Sequence, residues 1–536
     1  METLMRLFGS MIVFMYHCFD RIVINGYLSI LSRPESVVYF FKEILGQQCI
    51  TKEVLSARTK DYNLWVESYA GNHSIPLEWA KNGVRKEDYV RPYLKAMERK
   101  NRFGVYFILK SMEQGNTFRS FEPKYPTKDP NYRIVKKSRN RFTHYYFYIR
   151  DEKLGAMCIR VASFLPFQTT CYLNGHHYIE RQLSRLGVAF RKNDNAFLSV
   201  DDPHALQKAA DSLTSEIISE RLDYWILIVG PKFSKRERHL MNLRRFYALS
   251  QIEYCHNFIF RRNFPIRKLF QRSCELGFFI LSARKVSNMF GSQITKRFNG
   301  KLQTVLERLD QAHHTLRAYF KHSFVKQYEK FRTFLRMEVC SNHTPDLRVR
   351  KSLANLHLFR ERAIDILNRF AGLQANALNV HFAFPLFQRM ALPITHVNTR
   401  IAGIKIYDER MIRLMETIMN AGTCLDGWTS DLLHKNIVAS YGLPQYTINQ
   451  LRYDLRKMKA RGLVERNGKH YSYRLTDKGM KVAAMFVLFH KRLCGPLANS
   501  LFHYHPNNIH VIDSKLEKAY HKADNSIKQI VELLAA

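Results

Sequence analysis

Acidic residues are scarce in this chain of 536 residues: 46 Asp and Glu stand against 84 Lys and Arg, which leaves a formal charge of +38. That shortage favours a polyanionic partner, nucleic acid first and an anionic membrane surface second. Cysteine pairs are missing too. Nine cysteines are scattered singly with no CxxC spacing, which argues against a disulfide framework or a zinc finger and fits a reducing compartment. Long apolar runs are also lacking. Met11 to Phe19 is far too short to span a bilayer, and Asp20-Arg21 follows at once with no cleavage-site pattern, so neither a membrane anchor nor a secretory signal is expected. A cytoplasmic protein without a membrane partner is the expectation. What is present is ample apolar and aromatic content, 46% and 13%, enough for folded cores rather than charge-driven disorder. The length fits two to four domains.

The most legible stretch runs from Tyr407 to Gly479. Met411, Leu414, Met415, Ile418 and Met419 fall at helical spacing. Thr429 or Ser430 is placed to cap a second helix with Leu432, Leu433, Ile437 and Val438 inward. After Gly442 and Pro444, Thr447 can cap a third helix from Ile448 to Arg461, with Ile448, Leu451, Leu455 and Met458 on the buried face and Gly462 as its stop. Its other face carries Asn449, Gln450, Arg452, Tyr453, Arg456, Lys457 and Lys459. Two strand-like runs then flank Asn467-Gly468, a strong hairpin signal. This order looks like a winged helix-turn-helix, whose third helix would enter a major groove while a wing from Lys469 to Arg474 touches backbone. Arg suits guanine edges or phosphates, and Asn449 and Gln450 suit adenine.

Upstream, the expected organisation is an N-terminal α/β region over residues 1–122 and a β-rich aromatic and histidine region over 123–230. A basic α+β region follows over 231–402, then the winged helix over 403–495 and a tail helix over 496–536. The expected fold class is α+β, multidomain, with a mixed β-rich and helical body. Cys18 to Gly26 reads as a strand that carries Asp20, and a strand carboxylate near the start of a domain can hold a catalytic metal. Arg58 to Tyr89 is polar with little periodicity. Pro123 to Arg141 reads as an exposed basic loop in which Lys136, Lys137 and Arg139, with Tyr125 and Tyr132, offer phosphate contacts and stacking. His144 to Ile149 and Met157 to Val161 read as a hairpin. Around it, three tyrosines, Asp151, Asn174, His176, His177 and Asp194 form a mix that could build a metal or nucleophilic site. Were His176 and His177 on a strand, they would face opposite ways. Arg244 and Arg245 belong to a second basic block near Glu253. Phe324 to Lys330 and Thr333 to Val339 read as an antiparallel strand pair. One face would gather Lys326, Tyr328, Lys330, Arg336 and Glu338, a patch suited to gripping a phosphodiester.

Two resemblances add to this reading. Phe19-Asp20-Arg21, His144-Tyr145-Tyr146-Phe147-Tyr148, Pro166-Phe167, Tyr172 with Asn174-Gly175-His176, Asp194-Asn195-Ala196-Phe197 and the closing winged helix resemble, nearly end to end, a family of uncharacterised bacterial proteins. Their repeated genomic copies imply a mobile-element association. Locally, Tyr328-Glu329-Lys330 with Arg336-Met337-Glu338 is similar to a Tyr-x-Lys and Arg-x-Glu strand pair of some rolling-circle replication initiators. Those proteins nick DNA with a tyrosine and a divalent metal, and here no His-hydrophobe-His motif accompanies the pair. The combined expectation is a DNA-processing protein with Asp20, Tyr328, Lys330 and Glu338 as catalytic residues. Asp20, Asp194, Glu253 and Glu338 would hold Mg2+ or Mn2+. A non-enzymatic DNA-binding regulator and a structured-RNA-binding protein are the alternatives.

Overall fold

The computed structural model describes residues 8–81, 83–240, 245–267, 302–307, 315–378, 384–396, 399–419, 428–442, 445–467 and 472–494, with isolated positions besides. The architecture is α+β and divides into two compact units. The first comprises residues 1–266 and 305–369 with a short neighbouring segment; the second holds 370–536 with 267–298 and a few residues more.

The larger unit is built on a sheet. In chain order come β1 (Ile12–Leu28), α1 (Lys52–Asn72), β2 (Leu77–Trp79), α2 (Lys86–Arg99), β3 (Gly104–Phe121), β4 (Ile134–Asp151), β5 (Gly155–Ala162) and β6 (Thr169–Leu173). Then follow α3 (Gly175–Leu186), β7 (Phe190–Asn193), β8 (Ala196–Val200), α4 (Pro203–Asp211), α5 (Ser215–Val229), β9 (Arg245–Phe260), β10 (Leu302–Glu307), β11 (Thr315–Phe320), β12 (Ser323–Phe331) and β13 (Phe334–Ser341). The eleven-stranded sheet runs β10-β11-β12-β13-β9-β1-β6-β5-β4-β3-β2. The described pairings are antiparallel except β2 with β3. β1 lies near the centre, and from Cys18 to Ile24 every residue but Arg21 is buried, Asp20 included.

Over one face, α3, α4 and the β7–β8 hairpin close a core of Phe14, Tyr16, Ile179, Leu183, Phe197 and Leu206. α2 covers β3 to β5 through Val90, Phe107, Leu109 and Tyr146. The turn between β4 and β5 is pinned by Asp151, which is fully enclosed. It accepts from the Lys153 and Leu154 amides, from Arg221 Nε and Nη2 at 2.8 and 2.6 Å, and from Trp225 Nε1 at 2.7 Å. This carboxylate ties α5 to the sheet.

Several expectations change here. Lys136, Lys137 and Arg139 are exposed, yet they lie on β4 rather than in a loop, because β4 pairs with β3 from Phe121↔Ile134 onward. Arg58 to Tyr69 lies in the long helix α1. Its buried positions, Leu55, Tyr62, Val66 and Ala70, are spaced widely enough to hide the period among charges. Asn174 caps a helix, accepting from the His176 amide at 2.8 Å, so His176 and His177 sit in a first helical turn and not on a strand.

The second unit includes α6 (Glu409–Met419), β14 (Trp428–Thr429), α7 (Ser430–Tyr441), α8 (Ile448–Ala460), β15 (Val464–Asn467), β16 (Ser472–Leu475) and α9 (Asp477–Phe489), with the three strands ordered β14-β16-β15. Thr429 caps α7, and Thr447 and Gln450 form a capping box on α8. Gly442 and Gly462 take positive φ at the helix ends. Leu433, Ile437, Leu451, Leu455 and Met458 are buried against Met411, Leu414 and Met415, whereas Leu432 is exposed. Asn467 pairs with Ser472, so it belongs to the strand rather than to the turn in which Asn-Gly was expected; residues 468–471 lie outside the described residues. Lys469, Arg244 and nearly all of the expected tail helix lie outside the described residues. Among the described residues no helix is long and apolar enough to cross a membrane.

Candidate functional site

The β12–β13 hairpin forms in the expected register, Lys326 opposite Glu338 and Tyr328 opposite Arg336. β9 lies beside β13, setting Cys255 opposite Glu338 and Asn257 opposite Arg336. β1 follows, with Cys18 opposite Cys255. Register slips between Phe19 and Arg21, so Asp20 is the extra residue of a β-bulge, a device that re-aims a side chain. Above this face stand the first turn of α3, carrying His176, and the β7–β8 turn, carrying Asp194 and Asn195. Gly175 lets α3 approach β1 this closely, since a Cβ there would lie 2.1 Å from the Phe19 carbonyl oxygen.

Arg336 is the hub, fully buried. Its Nε donates to Asn257 Oδ1 at 2.6 Å, and Nη2 donates to the Asn195 carbonyl. Nη1 lies 3.4 Å from Asp20 Oδ1 and 3.5 Å from Glu338 Oε1. Asp20 Oδ1 also accepts from Asn195 Nδ2 at 2.5 Å and faces His176 Nδ1 at 3.2 Å. Glu338 is equally enclosed. Tyr328 donates its hydroxyl to Oε1 at 2.9 Å, and Lys326 Nζ lies 2.8 Å from Oε2. Lys330 pairs with the exposed Asp194 at 2.9 Å.

These contacts set the charge states. Burial pulls the Asp20 carboxyl upward, but Arg336 and the His176 hydrogen bond outweigh it and hold Asp20 well below the usual carboxylate range. Burial and then the charge of Asp20 push Glu338 the other way, above its ordinary value, against Lys326 and Arg336. Burial, followed by the charge of Glu338, raises the Tyr328 hydroxyl. Two carboxylates on one guanidinium are thus driven apart, one firmly anionic and one ready to take a proton, an arrangement suited to acid–base work.

The four carboxylates expected to share a cation do not converge. Asp20 is claimed by Arg336, His176 and Asn195, and Asp194 by Lys330. Only Glu253 and Glu338 come together, with Cys340 as neighbour. Lys326 already sits on Glu338, so this set falls short of the oxygen cage a hard cation needs. Groups that could hold a metal do exist: Cys18-His176-Cys255, His322-His343-Asp346 and Glu253-Glu338-Cys340. Of the tyrosines ahead of the β4–β5 turn, Tyr145 donates to Asn63 and Tyr146 to Glu113. Sequence reading placed Arg336 and Lys326 in the patch with Tyr328 and Glu338 and grouped His176 with Asp194 as a separate candidate site, but it linked none of His176, Asn195 and Asn257 to Arg336. Asn257 lies in a run that reads only as apolar and aromatic, without a signal of its own.

A second surface lies on α8. Asn449, Arg452, Tyr453, Arg456 and Lys459 are exposed. Beside them is a cavity of about 630 Å³ lined by Thr429, Ser430, Arg452, Arg456, Lys459 and Arg466 among others. Two expected contacts drop out. Lys457 is buried between Asp408 and Asp454, and the Gln450 carbonyl is occupied by the Thr447 amide at 2.8 Å. On the larger unit, Arg245 is largely enclosed beside Asp223, 4.0 Å away, and offers little to a polyanion. No family model, curated protein or solved structure matches the chain.

Proposed function

We propose that this chain is a DNA-binding protein of a bacterial mobile element, in which residues 403–495 act as a winged helix-turn-helix that lays α8 in the major groove. The exposed cations Arg452, Arg456 and Lys459 on one face of α8 carry this reading. A wall of cations beside an exposed helix face matches the phosphate backbone that flanks a groove, and the formal charge of +38 extends the attraction over the whole chain. The mobile-element assignment rests on the sequence resemblance alone.

The sheet site favours strand processing over simple regulation, because Tyr328 and Glu338 form a nucleophile–base pair at 2.9 Å. In this step the Tyr328 oxygen attacks phosphorus and its proton passes to Glu338. The phosphotyrosyl bond forms as the bond to the leaving sugar oxygen breaks, and that oxygen takes a proton from water. Lys326 and Lys330 are placed to offset phosphate charge. Of the expected ligands among the described residues, Glu253 and Glu338 are the pair close enough to share Mg2+ or Mn2+.

A competition experiment tests the choice of nucleic acid. Full-length protein holding labelled duplex DNA from its own genomic flanks is challenged with unlabelled duplex or with a structured RNA of equal length. Duplex is expected to displace the probe at the lower concentration. More effective displacement by the RNA would replace the DNA reading with an RNA-binding one.

A further inference from the structure

The Cys18-His176-Cys255 group lies under the site and takes no part in the step described above. Cys18 and Cys255 are cross-strand partners with their sulfurs 3.7 Å apart. Cys18 Sγ lies 3.5 Å from His176 Nε2. All three side chains are buried. A tetrahedral zinc with bonds of about 2.3 Å to sulfur and about 2.0–2.1 Å to nitrogen sets its sulfurs about 3.8 Å apart and each sulfur about 3.6 Å from the nitrogen. The Cys18–Cys255 and Cys18–His176 separations match these values, and the Cys255 sulfur lies within 4.8 Å of the imidazole nitrogen, while a disulfide would need the sulfurs at about 2.0 Å.

The surroundings agree with metal ligation. His176 Nδ1 faces Asp20 Oδ1 and Asn174 Oδ1, both at 3.2 Å, which fixes the proton on Nδ1 and leaves the Nε2 lone pair toward the sulfurs. This is the carboxylate–histidine–metal arrangement that orients ligating imidazoles. Asn257 Nδ2 donates to Cys255 Sγ at 3.2 Å, as a donor to a ligating thiolate does. Cys255 Sγ also lies 3.4 Å from the Cys18 carbonyl oxygen, a contact its thiol proton makes when no metal is bound. Arg336 Nη2 is 3.3 Å from His176 Nε2 but has the Asn195 carbonyl as its nearer acceptor. A divalent ion with two thiolates and a neutral imidazole carries no net charge, so it does not oppose that guanidinium. Loading releases the two thiol protons.

We propose that Cys18, Cys255 and His176 form a three-ligand site for a soft divalent metal, zinc foremost, held beneath the Asp20–Arg336 network. Nitrogen and sulfur donors select such an ion over magnesium or manganese. The site does not depend on the DNA reading, since metal content is measured without nucleic acid.

The test is metal analysis of full-length protein purified without chelator, followed by exchange into cobalt. One zinc per chain should survive gel filtration. The cobalt form should show a thiolate-to-cobalt charge-transfer band and intense tetrahedral ligand-field bands. Cys18→Ser and Cys255→Ser should lose zinc and the band, whereas Cys158→Ser, a buried cysteine of β5, should keep both. If the two serine variants fail to fold, the cobalt spectrum of the unaltered chain decides alone. A chain that takes up no cobalt, cobalt binding without the thiolate band, metal retained by Cys18→Ser, or a native Cys18–Cys255 disulfide in peptide mass spectra would each overturn the proposal.

Discussion

Arg336→Ala is expected to lower folding stability by about 3–5 kcal/mol, enough to make the protein insoluble or to remove its thermal transition. The guanidinium is fully enclosed and stands between Asp20 and Glu338, at 3.4 and 3.5 Å. Truncating it leaves Asp20 without its main counter-charge and Glu338 with Lys326 alone, and it strands Asn257 Oδ1 and the Asn195 carbonyl. Arg336→Lys should recover little, because an ammonium cannot reach four acceptors from the fixed fork that Arg336 uses. Adding Asp20→Asn to Arg336→Ala should restore part of the loss by removing one buried charge. A double variant no more stable than Arg336→Ala would show that Asp20 draws its stabilisation elsewhere. The same network predicts an acid response. The Asp20 carboxyl sits below its unfolded value of about 3.9. Its contribution is therefore complete above that pH and is lost as pH falls through the folded value. The difference in melting temperature between the natural chain and Asp20→Asn should be constant above about pH 5 and shrink below about pH 4.

The second large effect belongs to Tyr328. Tyr328→Phe is expected to reduce cleavage of labelled DNA by at least about 10³-fold and to abolish any protein–DNA adduct that survives denaturation, because it removes the proposed nucleophile. Duplex affinity should stay the same, since the hydroxyl is hydrogen-bonded to Glu338 and the substitution leaves Arg452 and Arg456 in place. Glu338→Gln keeps the shape but cannot take the proton, so it should slow the same step and yield less of the denaturation-resistant adduct. Cleavage by Tyr328→Phe at the unaltered rate would remove the nucleophile assignment and leave DNA binding as the function.

The strand pair around Tyr328 was legible because Arg336-Met337-Glu338 alternates charged and apolar positions, and a period of two is a local property. The helices around Leu451 were legible for the same kind of reason, with caps at Thr429 and Thr447 to mark their starts. The assembly of the site was not. Asp20 reaches Arg336 across 316 positions, and it does so from a β-bulge that no residue in Phe19-Asp20-Arg21 announces. Cys18 and Cys255 look solitary in sequence because their partnership is a matter of strand register, 237 positions apart. Pro126 and Pro130 drew attention to a loop and hid that Lys136 and Arg139 already belong to a strand, whose partner ends before those prolines. Lys457 was assigned to the exposed face of α8 because helical spacing alone does not reveal Asp408, which meets it from a different segment.

DNA binding through α8 is tested most directly by fluorescence anisotropy of full-length protein with a labelled duplex from its own flanks. The natural chain is compared with Arg452→Ala/Arg456→Ala over a series of salt concentrations. The natural chain should lose affinity steeply with salt, and the double variant should bind more weakly at every concentration with a log–log slope shallower by about 1.8. A flat salt response, or equal affinity of the two proteins at fixed salt, would contradict docking through Arg452 and Arg456.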